Sequence, residues 1–161
     1  VLEEWPLDPA VHDRQGFDCG VPALNDYLQR LAGQHRRQGL SAVYVLVDEA
    51  APPRIPGCYT LRAAEVAVDR LGEADRQRLP CYPLPCFRHG RLACRADEQE
   101  RGLGRLLHGG AVERCLKARE QVVAHALVVD AKDERAQRFY THFGFRPLQD
   151  AVLTLYLPLG R

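Results

Sequence analysis

The chain has 161 residues, 46% of them hydrophobic and 27% charged, enough to bury a core of its own, which excludes disorder as its main description. Its 22 Lys+Arg and 21 Asp+Glu leave a net charge of +1, which excludes a bulk polycation, so any polyanion site must be a local patch. No apolar run nears the roughly 20 residues that span a bilayer, and Val1–Pro9 lacks the basic and apolar regions of a signal peptide, so a cytoplasmic protein without membrane contact is expected.

From Val21 to about Gln38, the residues Leu24, Tyr27, Leu28, Leu31 and Ala32 recur at helical spacing and predict an amphipathic helix. Its basic tail, His35, Arg36 and Arg37, suits the negative end of a helix dipole, and Gly39 ends it. Ala42–Val47 and Gly57–Leu61 read as two strands of a hairpin, joined by a loop with three prolines. Glu65–Val68 extends a third strand, and Asp69–Leu79 is a short helix or ordered loop. Pro80, Pro83 and Pro85 exclude regular structure until Phe87, and Arg91–Cys94 is a short strand.

The strongest helix runs from Gly102 to about Arg119, with a stripe of Leu103, Leu107, Ala111, Cys115 and Ala118 widened by Leu106. Val122–Val129 has the continuous apolar character of a strand buried on both faces. Asp133–Phe143 is helical, with Ala136, Phe139, Tyr140 and Phe143 on one side and Gly144 as its cap. Phe145–Leu148 and Val152–Leu157 are the last strands. This order predicts a single α/β domain over residues 1–161, a mixed, mostly antiparallel sheet of six to seven strands with helices on both faces.

The chain holds no Met, even at position 1, and is expected to begin after its initiator. Its six cysteines, Cys19, Cys58, Cys81, Cys86, Cys94 and Cys115, form no CxxC pair and have no His at zinc-finger spacing. They read as buried free thiols, with Cys81 and Cys86 in the Pro-rich loop the poorest fit, and no metal is expected.

The segment Gln99-Glu100-Arg101-Gly102-Leu103-Gly104 lies between a strand and the strongest helix. Its glycines let backbone N–H groups face an anion, and the helix dipole adds positive potential, so it is physically a phosphate cradle. It is not a P-loop, because no Lys-Ser or Lys-Thr follows, nor a GxGxxG fingerprint, because Leu107 stands at the third small position. The residues alone equally allow a Gly-rich turn before a helix.

Arg91-Leu92-Ala93-Cys94, the Gln99–Gly104 stretch and Leu106-Leu107 resemble the acetyl-CoA motif of the Gcn5-related N-acetyltransferases, Q/R-x-x-G-x-G/A. Val129-Asp130-Ala131-Lys132-Asp133, with Ala136 and Phe139 to Phe145, is similar to that superfamily's later segment of helix, tyrosine and "FGF" turn. His12, Phe17-Asp18-Cys19-Gly20, Leu24-Asn25 and Tyr27-Leu28 resemble the opening of the acetyltransferase toxins of type II toxin–antitoxin modules. Gly57-Cys58-Tyr59-Thr60-Leu61 and the Leu79 to Pro85 loop match the same subfamily. The resemblance covers about His12 to Leu159.

This resemblance implies a splayed central strand pair that takes the pantetheine arm of acetyl-CoA, with backbone bonds from Leu92 and Cys94 beside Ala93. It implies that Gln99, Arg101, Gly102, Leu103, Gly104 and Arg105 hold the pyrophosphate, and that Asp133, Ala136 and Phe139 also face the cofactor. A backbone donor on the thioester carbonyl is effective because charge develops there as the amine attacks. On the residues alone Tyr140 is a core tyrosine. The resemblance makes it the catalytic residue, a phenol donating to the departing CoA thiolate.

The acceptor implied is the amino group of aminoacyl-tRNA, whose acetylation blocks translation, and the partners implied are a ribbon–helix–helix antitoxin and a second copy in a homodimer. Arg36, Arg37, Arg88, Arg91 and Arg95 supply cations for the tRNA, although Asp97, Glu98 and Glu100 lie in the same stretch as some of them. No pattern assigns a general base. Glu65, Asp130 and His89 are candidates, and an ordered water suffices for an α-amino group of lowered pKa.

Two departures from the family pattern bear on the substrate side. Cys94-Arg95-Ala96-Asp97-Glu98 replaces V-D-x-x-Y/H ahead of the turn, and His108-Gly109-Gly110 replaces L-x-D/E in the helix, where each glycine costs about 1 kcal/mol relative to Ala. The alternatives are acetylation of a small amine or a protein N-terminus, and a non-catalytic CoA-binding regulator.

Overall fold

A computed structural model describes residues 2–80 and 83–160; the expectation for Cys81 lies outside them. Seven strands form one open, mostly antiparallel sheet in the order β1-β2-β3-β4-β5-β7-β6, flanked by helices. They are β1 (Leu2–Pro6), β2 (Ala42–Asp48), β3 (Gly57–Val66), β4 (Leu84–Cys94), β5 (Ala126–Asp130), β6 (Arg146–Pro147) and β7 (Thr154–Pro158). The parallel pair is β4 with β5, in register from Cys86↔Ala126 to His89↔Val129, while β4 itself runs on to Cys94.

The chain folds as two compact units. The first holds the residues up to Arg62 together with Gly90–Glu113. In it the alternation of β2 sends Val43, Val45 and Val47 to one core and Leu46 to another. The Val43 side packs with Leu7, Phe17, Tyr27, Leu28, Ala32 and Ile55, and the Leu46 side with Tyr59, Leu103, Leu107 and Ala111. The second unit holds Ala63–His89 and the residues from Arg114 onward, and its core includes Val66, Leu71, Leu84, Cys86, Val128, Leu148 and Tyr156.

The predicted first helix is three pieces: α1 (Pro22–Asp26), a π-helical turn (Tyr27–Leu31) and α2 (Ala32–Arg37). The wider turn rotates Leu31 out to solvent, whereas a constant 3.6 period would bury it with Leu28. Strand β3 absorbs Glu65 and Val66, and Val68 opens a 3-10 turn (Val68–Arg70) ahead of α3 (Glu73–Gln77). Strand β4 starts at Leu84, earlier than the prolines suggest. Pro85 sits at the strand's start, where a missing N–H costs little, and its carbonyl accepts the His125 N–H at 2.8 Å.

The long helix, α4 (Leu103–Ala118), buries Leu103, Leu107, Ala111 and Cys115 as predicted, but Leu106 is exposed. Strand β5 begins only at Ala126. Val122 and Val123 lie exposed in the turn that closes α4, where the Val122 N–H still bonds the Ala118 carbonyl. The last helix, α5 (Glu134–His142), is N-capped by Asp133. Cys19, Cys58, Cys86 and Cys115 are buried free thiols and Cys94 is a half-buried one.

Candidate active site

The Gly-rich turn is built from a 3-10 segment (Ala96–Arg101), Gly102 and the first turn of α4. Gly102 has φ +71°, the left-handed region that a side chain strains, and its carbonyl accepts the first bond of the helix, from the Leu106 N–H. The amides of Leu103, Gly104 and Arg105 thus belong to the first turn, where N–H groups point outward along the axis. A Cβ built on Gly102 or on Gly104 would meet no atom within 4 Å. The open backbone and the helix dipole fit a diphosphate.

What fixes the turn is a set of contacts that the sequence reading did not assign. Glu98 is buried and ion-paired with both Arg54 and Arg101, and Arg54 also bonds Asp97 at 3.1 Å. The Gln99 amide donates to the Cys94 carbonyl at 3.0 Å, tying the turn to the end of β4. The Arg101 side chain is therefore engaged with Glu98, which leaves the backbone amides as the turn's anion donors. The acidic residues of this stretch give the signal for these pairs, but nothing in the sequence points to Arg54 as their partner.

The Phe17-Asp18-Cys19-Gly20…Asn25 motif is a local knot. Asp18 accepts the N–H of Gly20 at 2.9 Å and the Asn25 amide at 3.0 Å, and Asn25 in turn accepts the Cys19 N–H at 2.9 Å. Those two bonds hold the Asp18 carboxyl below the usual carboxylate range. The knot and the cofactor turn meet directly: the Ala96 N–H donates to the Asp18 carbonyl at 2.8 Å, and Arg95 donates to the Gly16 carbonyl at 3.0 Å. His12 is buried, its Nδ1 accepting the Asp8 N–H, and burial lowers its pKa against the opposing pull of Asp8.

In the second unit Tyr140 lies on the inner side of α5, 6% exposed, its ring edge-on to Phe139 and tilted against Phe145. Burial, with the charge of Asp130 adding to it, pushes the phenol up to about 12. Such a group stays protonated through the neutral range and acts as a donor. Asp133 accepts the Ala136 N–H at 2.9 Å, so the two expected cofactor contacts are joined as the cap of this helix.

The candidate bases and cations sort by their partners. Asp130 is ion-paired with Arg88 and accepts the Thr154 hydroxyl at 2.9 Å; Glu65 is exposed and His89 buried. Arg95 is held by Gly16 and Asp97. Arg91 has φ +48° and lays its guanidinium over the Tyr27 ring, 4.0 Å from the centroid, while the Tyr27 hydroxyl meets His35 Nδ1 at 3.0 Å. Arg36 and Arg37 are exposed on α2, and Arg36 lines a cleft of about 400 Å³ with Pro6, Ser41 and Tyr44. Among the described residues no three of His, Cys, Asp or Glu are grouped to hold a metal ion, and no helix is long and apolar enough to cross a membrane.

No family model matches the chain. It is 36% identical over 83% of its length, and 78% of the relative's, to the tRNA-acetylating toxin of Mycobacterium tuberculosis. The solved structure of AtaT complexed with acetyl-methionyl-tRNAfMet matches 98% of this chain and 95% of that one at a TM-score of 0.90 and 29% identity. A variant of AtaT bound to the C-terminus of the antitoxin AtaR and acetyl-CoA matches 99% of this chain and 94% of that one, at a TM-score of 0.81 and 28% identity. A mixed open sheet with a Gly-rich turn opening a long helix defines a Gcn5-related N-acetyltransferase. Within that class the chain belongs to the tRNA-acetylating toxins of toxin–antitoxin systems.

Proposed function

We propose that this protein transfers the acetyl group of acetyl-CoA to the α-amino group of an aminoacyl-tRNA and thereby blocks translation. The observation that carries the reading is the open turn at Gly102 and Gly104, ahead of the first-turn amides of α4 and braced by Glu98 and Gln99, in a chain of this family. The amides of the turn hold the diphosphate, and the backbone of Leu92 and Cys94 holds the pantetheine. Gln99 acts as the brace of the turn, and Asp133, Ala136 and Phe139 support the tyrosine's helix.

In the reaction the neutral amine attacks the thioester carbonyl, the C–S bond breaks, and the CoA thiolate takes the proton of Tyr140, whose phenolate is restored through water by the proton that the amine loses. A phenol raised to about 12 is a donor throughout the physiological range, which suits it to this end of the reaction and not to deprotonating the amine. Backbone donors on the carbonyl oxygen bind the developing charge more strongly than the ground state. A cytoplasmic single-domain enzyme, a homodimer and a ribbon–helix–helix antitoxin partner are parts of the same reading.

The test is incubation of the protein with labelled acetyl-CoA and a pool of charged tRNAs, followed by release and mass analysis of the amino acids. N-acetyl-amino acids from one or a few tRNAs are expected. Label transferred only to free amines or peptides would replace this function with the small-amine alternative, and tight acetyl-CoA binding without any transfer would leave a CoA-binding regulator.

A further inference from the structure

Two arginines far apart in sequence converge on one glycine. A Cβ on Gly33, in α2, would lie 3.2 Å from an Arg14 terminal nitrogen and 3.5 Å from an Arg37 terminal nitrogen, with Pro9 Cγ at 3.7 Å. Gly33 is buried, and its bare Cα leaves room for the Arg14 guanidinium to lie close against the helix beside that of Arg37. A glycine inside a helix costs about 1 kcal/mol relative to Ala, so this arrangement is bought at the expense of helix stability.

Two guanidinia held against one glycine carry like charge, and an anion placed between or beside them offsets their repulsion. Among the described residues no carboxylate is paired with Arg14, Arg36, Arg37 or Arg91. The nearby acids are turned to the backbone, Asp8 accepting the Ala10 N–H at 3.0 Å and Asp13 the Gly16 N–H at 3.0 Å. By contrast Arg54, Arg88, Arg95 and Arg101 all have carboxylate partners. Arg14, Arg36, Arg37 and Arg91 are thus not among the arginines engaged by carboxylates of the described residues.

Arg14 in the loop after β1, Arg36 and Arg37 in α2 and Arg91 in β4 all belong to the first unit. Tyr27, which carries Arg91 on its ring, precedes Gly33 by six residues, roughly 9 Å of helix axis, and Arg91 adjoins Leu92 in β4. Arg36 adds a further cation at the cleft beside α2. Two forked guanidinia around one point suit a phosphate diester, whose oxygens accept several N–H bonds at once.

We infer that Arg14 and Arg37 form a clamp for one backbone phosphate of the tRNA, the first station of a cationic track that leads through Arg91 toward the acyl site. This rests on the proposed function for the identity of the polyanion. Sequence reading picked out Arg37 and Arg91, but Arg14 lies outside every basic cluster in the chain, and only the fold brings it to Gly33.

The test compares wild type with the double variant Arg14→Ala/Arg37→Ala, and with Arg14→Lys/Arg37→Lys, which keeps the charge. Two quantities are measured against salt: KM for aminoacyl-tRNA, and direct binding of uncharged tRNA by fluorescence anisotropy. Acetyl-CoA affinity and melting temperature check the fold. The alanine variant is expected to raise KM for tRNA about tenfold, to lower the slope of log K against log salt by about 1, and to leave acetyl-CoA affinity unchanged, with the lysine variant close to wild type in slope. Unchanged KM, binding and slope in the alanine variant would overturn the clamp while acetylation by wild type still upheld the function. A wild type that binds tRNA through these arginines yet acetylates none would overturn the function and keep the clamp. No binding of tRNA by wild type would overturn the clamp outright.

Discussion

Tyr140 and the glycines of α4 show how single residues are set by their surroundings. A phenol pushed up to about 12 remains a proton donor below that value and loses the proton only as pH rises through it. The rate of acetyl transfer is therefore expected to rise with pH as the α-amino group of the acceptor deprotonates, near pH 8 or below, and then to stay level to about pH 10. A pH–rate profile checks this; a fall between pH 8 and 9 that Tyr140→Phe abolishes would show that the tyrosine acts at an unshifted or lowered pKa. The paired glycines differ from each other. Nothing lies within 4 Å of a Cβ on Gly109, whereas one on Gly110 would overlap the Glu4 carboxylate, which accepts the Tyr59 hydroxyl at 2.7 Å. Gly109→Ala should raise the melting temperature by about 3 °C through helix propensity, and Gly110→Ala should lower it, both readable by calorimetry.

Among the elements, α3 is held by one buried acid. Asp75 accepts bonds from Arg146 at 2.6 Å and Arg78 at 2.9 Å and from the Tyr156 hydroxyl, which itself accepts the Gly72 N–H at 3.0 Å. Burial raises the Asp75 pKa, but the bonds from Arg146, Tyr156 and Arg78 outweigh it and hold the carboxyl below its ordinary value. Its stabilisation is complete above the unfolded value of about 3.9 and is lost as pH falls through the folded one. Asp75→Ala should cost about 2 kcal/mol and about 6 °C in melting temperature at pH 7, a difference that shrinks as both proteins are taken below pH 4. An equal loss at every pH would assign the effect to packing instead.

Pattern made the long elements legible, because the stripe of Leu103, Leu107, Ala111 and Cys115 matches one buried face of α4 and the apolar run of β2 matches a strand with a core on each side. It failed where geometry changes within an element: the π turn that expels Leu31, and the apolar Val122 and Val123 spent on ending α4. The cofactor turn was legible because glycines at fixed spacing are a local signal. Its braces were not, since Arg54 meets Glu98 and Asp18 meets Ala96 only through long-range folding.

For the whole molecule, a net charge of +1 conceals a division of labour among the arginines. Arg54 and Arg101 at the turn neutralise Asp97 and Glu98, and Arg88 pairs with Asp130 in the second unit, while Arg14, Arg36, Arg37 and Arg91 have no carboxylate partner among the described residues, so overall charge says little about polyanion binding and placement says much. The knot at Asp18, in the stretch that resembles the toxin subfamily, and the turn at Gln99, in the superfamily's acetyl-CoA motif, meet in one place although some 80 residues separate them.

The most direct test of this account is single-turnover acetyl transfer to a charged tRNA by wild type and Tyr140→Phe, alongside acetyl-CoA affinity measured by calorimetry. The account predicts a rate at least about 100-fold lower in the variant, with acetyl-CoA affinity within about twofold of wild type. A variant that transfers acetyl at the wild-type rate would contradict the role given to Tyr140, and a wild type that transfers none would contradict the function itself.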